Sequence, residues 1–371
     1  MKLTEIDINF KVINKIERND IKWHEVTEKE FSIYGLYKDA IYNKDKPEFM
    51  RIPVEIANEV NDGVSALNKN TAGGRLRFIT DSPYIAIRHC GTPTNFPHMP
   101  LTGTSSFDAY VTENGIPKFK GCFVSPSNFG NNKFGYESEQ QLGDKEERDI
   151  TINFPLYSDV DSLQIGIAKD SLLKKSPEYD IKSPIVFYGS SITQGGCASR
   201  AGNTYQGFLS RKLDFDYINL GFSGSAKGEQ IMADYINTLD MSAFVFDYDH
   251  NAPDADYLQK THYPFYEKIR DKHPCLPIIF MSMPTFEDNS WADNRRKVIE
   301  ESFNKAKNNG DKNLYYINGN TLFGDDARDC CTVDGTHPND LGFYRMAKAL
   351  EPIFEKIIMI QESITGESYE D

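Results

Sequence analysis

From Ile185 onward, short apolar runs alternate with amphipathic stretches, and this alternation constrains the fold more than any other feature. Ile185–Tyr188, Tyr217–Leu220, Ala243–Asp247, Pro277–Ser282 and Leu314–Asn318 read as strands. Between and after them, Tyr205–Leu213, Ile231–Leu239, Tyr257–Lys272, Arg295–Asn309 and Leu341–Ile360 read as helices. Asn203 or Thr204 serves as a first N-cap, His273-Pro274 as a stop and Gly310 as a C-cap. Strand and helix in turn predict a parallel sheet with helices on both faces. The loops that follow the strands of such a sheet share one edge, and ligands bind there. Gln361 to Asp371 reads as a polar, acidic tail.

The chain before this region has a different grammar. Phe49–Val54, Arg75–Thr80, Tyr84–Arg88, Ser106–Thr112, Thr151–Leu156 and Ser162–Ala168 are short runs rich in β-branched and aromatic residues. Glu113-Asn114-Gly115 is a hairpin signal, and Asp81-Ser82-Pro83 a turn. Short strands with polar turns predict an antiparallel sandwich or jelly roll. Tyr34, Tyr37, Phe96, Phe107 and Tyr110 could stack on sugar rings, but filling a β core is the commoner use of such side chains. Leu172–Ile181, charged and interrupted by Pro177, reads as a linker. The expected division is therefore 1–175 and 176–371, and 371 residues exceed what one core usually covers.

Composition narrows the partners. A net charge of -14 argues against nucleic acid or an anionic membrane and favours neutral substrates. The start, MKLTEIDINF, lacks the pattern of a signal peptide, and no window approaches the length of a membrane span. The expectation is a soluble, cytoplasmic protein, or a secreted one if a leader has been removed. Six cysteines are too sparse for a disulfide framework, and no C-x-x-C occurs, so free thiols and no cysteine zinc site are expected.

Chemistry gathers in Ser183–Arg200, SPIVFYGSSITQGGCASR. A buried strand that stops in Gly189-Ser190-Ser191 puts a hydroxyl at the carboxyl end of the sheet. Ser191 reads as a nucleophile, and a strand-end turn with capping serines is the plain alternative. Three further features fall at strand ends: Gly224 after the second strand, Asn251 in DYDHNAP after the third, and Asp334 with His337 in VDGTHPND after the fifth. A serine needs a base, a histidine can serve as that base, and a carboxylate fixes the imidazole tautomer. The N–H of Ser191, the N–H of Gly224 and the amide of Asn251 could hold an oxyanion. Taken singly, Gly224 is a turn glycine, Asn251 an Asx turn and His337 a loop histidine. Asp247, Asp249 and His250 offer a competing metal site without a further ligand set. Gly221–Ser225 (GFSGS) lacks the last glycine of a nucleophile elbow, and Gly195-Gly196 makes no nucleotide-binding loop.

These strings resemble the blocks of the SGNH, or GDSL-type, hydrolases. GSSIT at Gly189–Thr193 is similar to GDSIT, NLGFSG at Asn219–Gly224 to the second block, and DGTHPN at Asp334–Asn339 to the last. DHNAP at Asp249–Pro253 stands where GxND would be. Ser190 replaces the usual Asp, Asp249 the usual Gly, and Ala252 the usual Asp. The longer strings YGSSITQGGCASR and DYDHNAP, with RLRFITDSPYIAIR and FDAY upstream, resemble a bacterial subgroup with an extra N-terminal β domain. The resemblance implies a three-layer, flavodoxin-like α/β domain preceded by an antiparallel β-sandwich. It also implies a catalytic Ser191, His337 and Asp334, an oxyanion hole of Ser191, Gly224 and Asn251, and no metal or organic cofactor. The expected activity is removal of small acyl groups, foremost acetyl, from a carbohydrate. A lysophospholipase or thioesterase with the same residues, or a non-catalytic glycan-binding protein, are the alternatives. The expected partner is a small-molecule or oligosaccharide ester. The β domain could wall the cleft, bind glycan or drive homo-oligomerisation.

Overall fold

A computed structural model describes Ile6 and residues 15–43, 46–126, 134–287 and 289–366. Most of the first fourteen residues, and the last five of the acidic tail, lie outside the described residues. The chain forms two compact units, one of Met1–Arg51, Lys69–Pro177 and Ser199–Gly202, the other of Ile52–Asn68, Glu178–Ala198 and Asn203–Asp371. This departs from a single division at 175 in two places, the larger being Ile52–Asn68. The reason is apolar. Ile52, Ala57, Val60 and Val64 are buried in the same core as Leu220, Phe222, Ala233 and Phe246.

The first unit is antiparallel. One sheet orders β1 (Ile21–Glu25), β9 (Ser162–Ala168), β4 (Tyr84–Gly91) and β7 (Phe134–Gln141) as β1-β9-β4-β7. The other orders β10 (Leu173–Lys174), β3 (Arg75–Thr80), β8 (Arg148–Asn153), β5 (Phe107–Glu113) and β6 (Ile116–Phe123), with β2 (Ser32–Tyr34) also on β3. Ile85, Ile87 and Ile165 of the first sheet share a core with Phe78, Phe107 and Ile150 of the second, which makes the unit a β-sandwich. Asn114 and Gly115 both take positive φ, 52° and 77°, as a two-residue hairpin between β5 and β6 requires. Phe107 and Tyr110 are buried, whereas Phe96 is exposed.

Phe49–Val54 is not a strand. Pro53 fixes its φ at -53° and caps a helix, Val54–Val60, and Asn61 then caps a second, Asp62–Leu67, by accepting the Val64 N–H at 2.9 Å.

The second unit is parallel. β11 (Ile181–Gly189), β12 (Phe215–Gly221), β13 (Ala243–Asp247), β14 (Ile278–Met281) and β15 (Leu314–Ile317) pair in the order β12-β11-β13-β14-β15. That is the flavodoxin-like order, whose switch point lies beside the first strand. Phe187 on one face stacks on Phe354 of the helix Asp340–Gly366. Tyr188 on the other face stacks on Phe265 of Ala255–Lys272. Helices thus cover both faces. The final helix runs on to Gly366, past the point where the polar tail was expected to begin.

Phe246 anchors one layer, with ring centroids 4.9 Å from Tyr248, 4.6 Å from His262 and 4.8 Å from Phe265. It is 1% exposed. Phe246→Ala should lower the unfolding free energy by about 3–5 kcal/mol, read as a lower urea midpoint at an unchanged slope.

Candidate active site

Ser191 opens a single helical turn, Ser191–Gln194, directly after β11. Ser190 caps that turn, its hydroxyl accepting the Ile192 N–H at 3.2 Å. A short polar side chain is all the cap needs, which accounts for serine where the related blocks carry aspartate. Gly195, with φ 109°, ends the turn, and the N–H groups of Gly195 and Gly196 bond the Ser191 carbonyl at 3.0 and 2.8 Å.

Ser191 and His337, 146 residues apart in sequence, meet at the carboxyl edge of the sheet. The Ser191 Oγ lies 2.9 Å from His337 Nε2. His337 Nδ1 lies 2.8 Å from Asp334 Oδ2. The loop that carries both is closed by the same carboxylate, whose Oδ1 accepts the N–H of Thr336 at 3.0 Å and of His337 at 2.8 Å. Gly335 makes this closure possible with φ 86°. Burial tends to raise the Asp334 carboxyl, but the hydrogen bonds from His337 and Thr336 outweigh it and bring it down to about 2. The carboxylate is therefore ionised at any pH where a histidine is a useful base.

Gly224 and Asn251 sit in adjoining turns. The Asn251 Nδ2 donates to the Phe222 carbonyl at 3.0 Å, leaving one amide proton for another acceptor. Ser223 N–H donates to Gln194 Oε1 at 3.0 Å, tying this turn to that of the nucleophile. Gly224 adopts φ 65°. From the other side, Asn61 Nδ2 donates to the Ser225 carbonyl at 2.9 Å and to Glu229 Oε1 at 2.7 Å. Gln194 and Asn61 escaped the sequence reading. Gln194 lay within the serine block, where its side-chain direction could not be seen, and Asn61 is distant in sequence and carries no local motif.

Asp247, Asp249 and His250 take separate partners rather than a common one. The Asp247 carboxylate accepts from Thr193 Oγ1 at 2.9 Å and Tyr205 OH at 3.2 Å. Burial, then the charge of Asp249, holds it well above the usual carboxyl range. Asp249 Oδ2 accepts the Met283 N–H at 3.0 Å. Burial raises Asp249 to about 6 against the opposing pull of Met283 and Arg295. The His250 ring packs edge-on against Trp291, centroids 5.4 Å apart. Burial, then the charges of His337 and Arg295, pushes it down to about 4, so it is neutral near pH 7. All six cysteines are free thiols, and burial, with Asp334 nearby, pushes Cys197 up to about 12.

A doubly wound sheet with a serine, an imidazole and a carboxylate in series at its carboxyl edge is the arrangement of SGNH-type hydrolases. Residues 182–355 match the GDSL-like lipase/acylhydrolase family, and residues 21–173 match the N-terminus of SGNH-hydrolase-type esterases. A protein of known structure from Bacteroides ovatus ATCC 8483, described as a GDSL-like lipase, is 30% identical with a TM-score of 0.79, over 91% of this chain and 98% of that one. The chain belongs to the GDSL-like lipase/acylhydrolase family. It shares its fold with the salicylyl-acyltransferase SsfX3 from a tetracycline biosynthetic pathway, at 18% identity and TM-score 0.72 over 90% of this chain and 96% of that one. It likewise resembles an acetyl xylan esterase from the rumen bacterium Butyrivibrio proteoclasticus, at 14% identity and TM-score 0.55 over 91% and 98%. None of the curated proteins compared with it matches the chain. Among the described residues, no helix is long and apolar enough to cross a membrane.

The raised Asp249 carboxyl makes folding pH-dependent. Its native value, about 6, lies above the unfolded value near 3.9, so its share of stability is complete below pH ~4 and lost as pH rises through 6. The loss should be on the order of 3 kcal/mol, and Asp249→Asn should shrink it in urea titrations run from pH 4 to 7.

Proposed function

We propose that this protein is a serine esterase that removes small O-acyl groups, foremost acetyl, from a carbohydrate. The observation that carries the reading is the series Ser191 Oγ, His337 Nε2, His337 Nδ1, Asp334 Oδ2, with contacts of 2.9 and 2.8 Å. Ser191 Oγ attacks the ester carbonyl carbon while His337 Nε2 takes its proton. The Asp334 carboxylate holds Nδ1–H and stabilises the imidazolium. The oxyanion is held by the N–H of Ser191, the N–H of Gly224 and the second amide proton of Asn251. The alcohol leaves with the proton from Nε2, and water repeats the sequence on the acyl-enzyme, with no step routed through a metal or cofactor.

The carbohydrate part draws support from the fold shared with the acetyl xylan esterase, over both units, and from an acidic surface suited to neutral glycans. The same acyl-enzyme could be resolved by an alcohol in place of water, which would then carry off the acyl group as a new ester. The fold shared with an acyltransferase favours testing that route alongside hydrolysis.

With p-nitrophenyl acetate, Ser191→Ala should lose nearly all turnover, and wild-type activity in that variant would remove the nucleophile assignment. Asn251→Ala should lower kcat by about 10²–10³ with little change in KM, and an unchanged rate would move the donor role elsewhere. Across acyl chains from acetyl to palmitoyl, kcat/KM should fall steadily. A rise with chain length would favour a lysophospholipase or thioesterase.

A further inference from the structure

Arg295 lies on the long helix Ser290–Asn308, where a charged side chain would ordinarily face water, yet it is 2% exposed. Its guanidinium faces the turn Asp249–Pro253. Nε donates to the Asp249 carbonyl at 3.3 Å, and Nη2 donates to the carbonyls of Ala252 at 2.8 Å and Pro253 at 3.0 Å. Nη1 reaches the Trp291 carbonyl of its own helix at 3.4 Å. The guanidinium also stacks on the Trp291 indole, 3.7 Å from the ring centroid. One planar fork is thus fixed in orientation and aimed at three carbonyls of one turn.

That turn needs outside support. It is a single 3-10 turn, Asp249–Asn251, with the Asn251 N–H on the Tyr248 carbonyl at 2.9 Å and the Ala252 N–H on the Asp249 carbonyl at 3.2 Å. Such short turns have poor hydrogen-bond geometry and little resistance to rotation. Their buried carbonyls require donors, and a charged fork supplies stronger and more directional ones than a neutral group. Asn251 sits at the end of the turn, and among the described residues its Nδ2 is tied to the Phe222 carbonyl alone. A small rotation of the turn would carry the free amide proton away from where negative charge develops.

The geometry points to Arg295 as the positioning residue that holds the Asn251 amide in place for the oxyanion, acting through the carbonyls of Asp249, Ala252 and Pro253. The inference rests on the esterase reading above, because only there does the orientation of Asn251 matter for rate.

The test uses the full chain, p-nitrophenyl acetate, and the variants Arg295→Met and Arg295→Lys. Arg295→Met should lower kcat about 10- to 100-fold, with KM within about twofold, since a displaced donor is lost chiefly in the transition state. Arg295→Lys, which keeps the charge and most of the packing but not the fork, should recover only part of this, and it stands in if Arg295→Met does not fold. In an Asn251→Ala background, either substitution should lower kcat by less than about twofold, because the group being positioned is already gone. An unchanged kcat in the wild-type background, or an equal loss in both backgrounds, would overturn the inference. Amide hydrogen exchange gives a readout independent of turnover. Exchange across 248–254 should speed up in the variant while the rest of the unit keeps its protection, and unchanged exchange there would overturn the clamp even with an active esterase. If the wild-type chain hydrolyses no ester while exchange still rises, the clamp stands and the esterase reading falls.

Discussion

Everything at the carboxyl edge of the parallel sheet depends on three turns lying against one another at backbone contact. Ser190 N–H bonds the Asp247 carbonyl at 3.2 Å, and Phe222 N–H bonds the Gly189 carbonyl at 2.9 Å, so the pairing of β11 with its two neighbours continues past the strand ends. Glycine is what allows this. A Cβ on Gly189 would stand 2.3 Å from the Asp247 carbonyl oxygen, and one on Gly221 would stand 2.2 Å from the Gln194 nitrogen. With side chains there, the turn that bears Ser191 could not rest between the turns bearing Gly224 and Asn251. The serine is therefore oriented by main chain on both sides, and the imidazole needs only to be brought to it.

The sequence revealed the parallel sheet well and the sandwich partly, and the reason is burial. Strands β11 and β13 are covered on both faces and read as unbroken apolar runs. The strands that went unread, β1, β2, β6, β7 and β10, are sheet edges, and β10 falls within Leu172–Ile181, which reads as a linker. β6 (IPKFKGCF) and β7 (FGYESEQQ) carry the charge and polarity that discourage edge pairing, and so look like loops. Phe49–Val54 failed in the opposite direction. Its apolar residues are core residues, but Pro53 turns the chain into a helix. At the site, Ser191, Asp334 and His337 were legible because each stands in a local pattern of turn residues after a strand. Asn61, Gln194 and Arg295 were not. Each acts through a hydrogen bond to main chain that is remote in sequence or invisible without geometry, and a buried arginine looks like any other charge on a helix face.

Two carboxylates at the same sheet edge show how completely surroundings decide chemistry. Against burial, hydrogen bonds from His337 and Thr336 bring the Asp334 carboxyl down to about 2 in a half-open loop, while burial raises Asp249 to about 6 against the backbone N–H groups of Met283 and His250. The first is a permanent anion suited to holding an imidazolium. The second lies beside a turn whose carbonyls are already served by a cation. Nothing in the one-letter code separates them. The difference comes first from burial, which is complete around Asp249, and then from the hydrogen bonds and charge that His337 gives Asp334.

The position of Ile52–Asn68 has a consequence for how the protein comes into being. These residues complete the core of the parallel unit, yet the ribosome emits them before any strand of that sheet exists. Until Glu178 and its successors emerge, the apolar flank of Val54–Leu67 has nothing to bury it. Vectorial synthesis therefore cannot finish the two units one after the other, and the nascent chain must carry an unfinished piece of the later one across the whole span in which the β-sandwich is made.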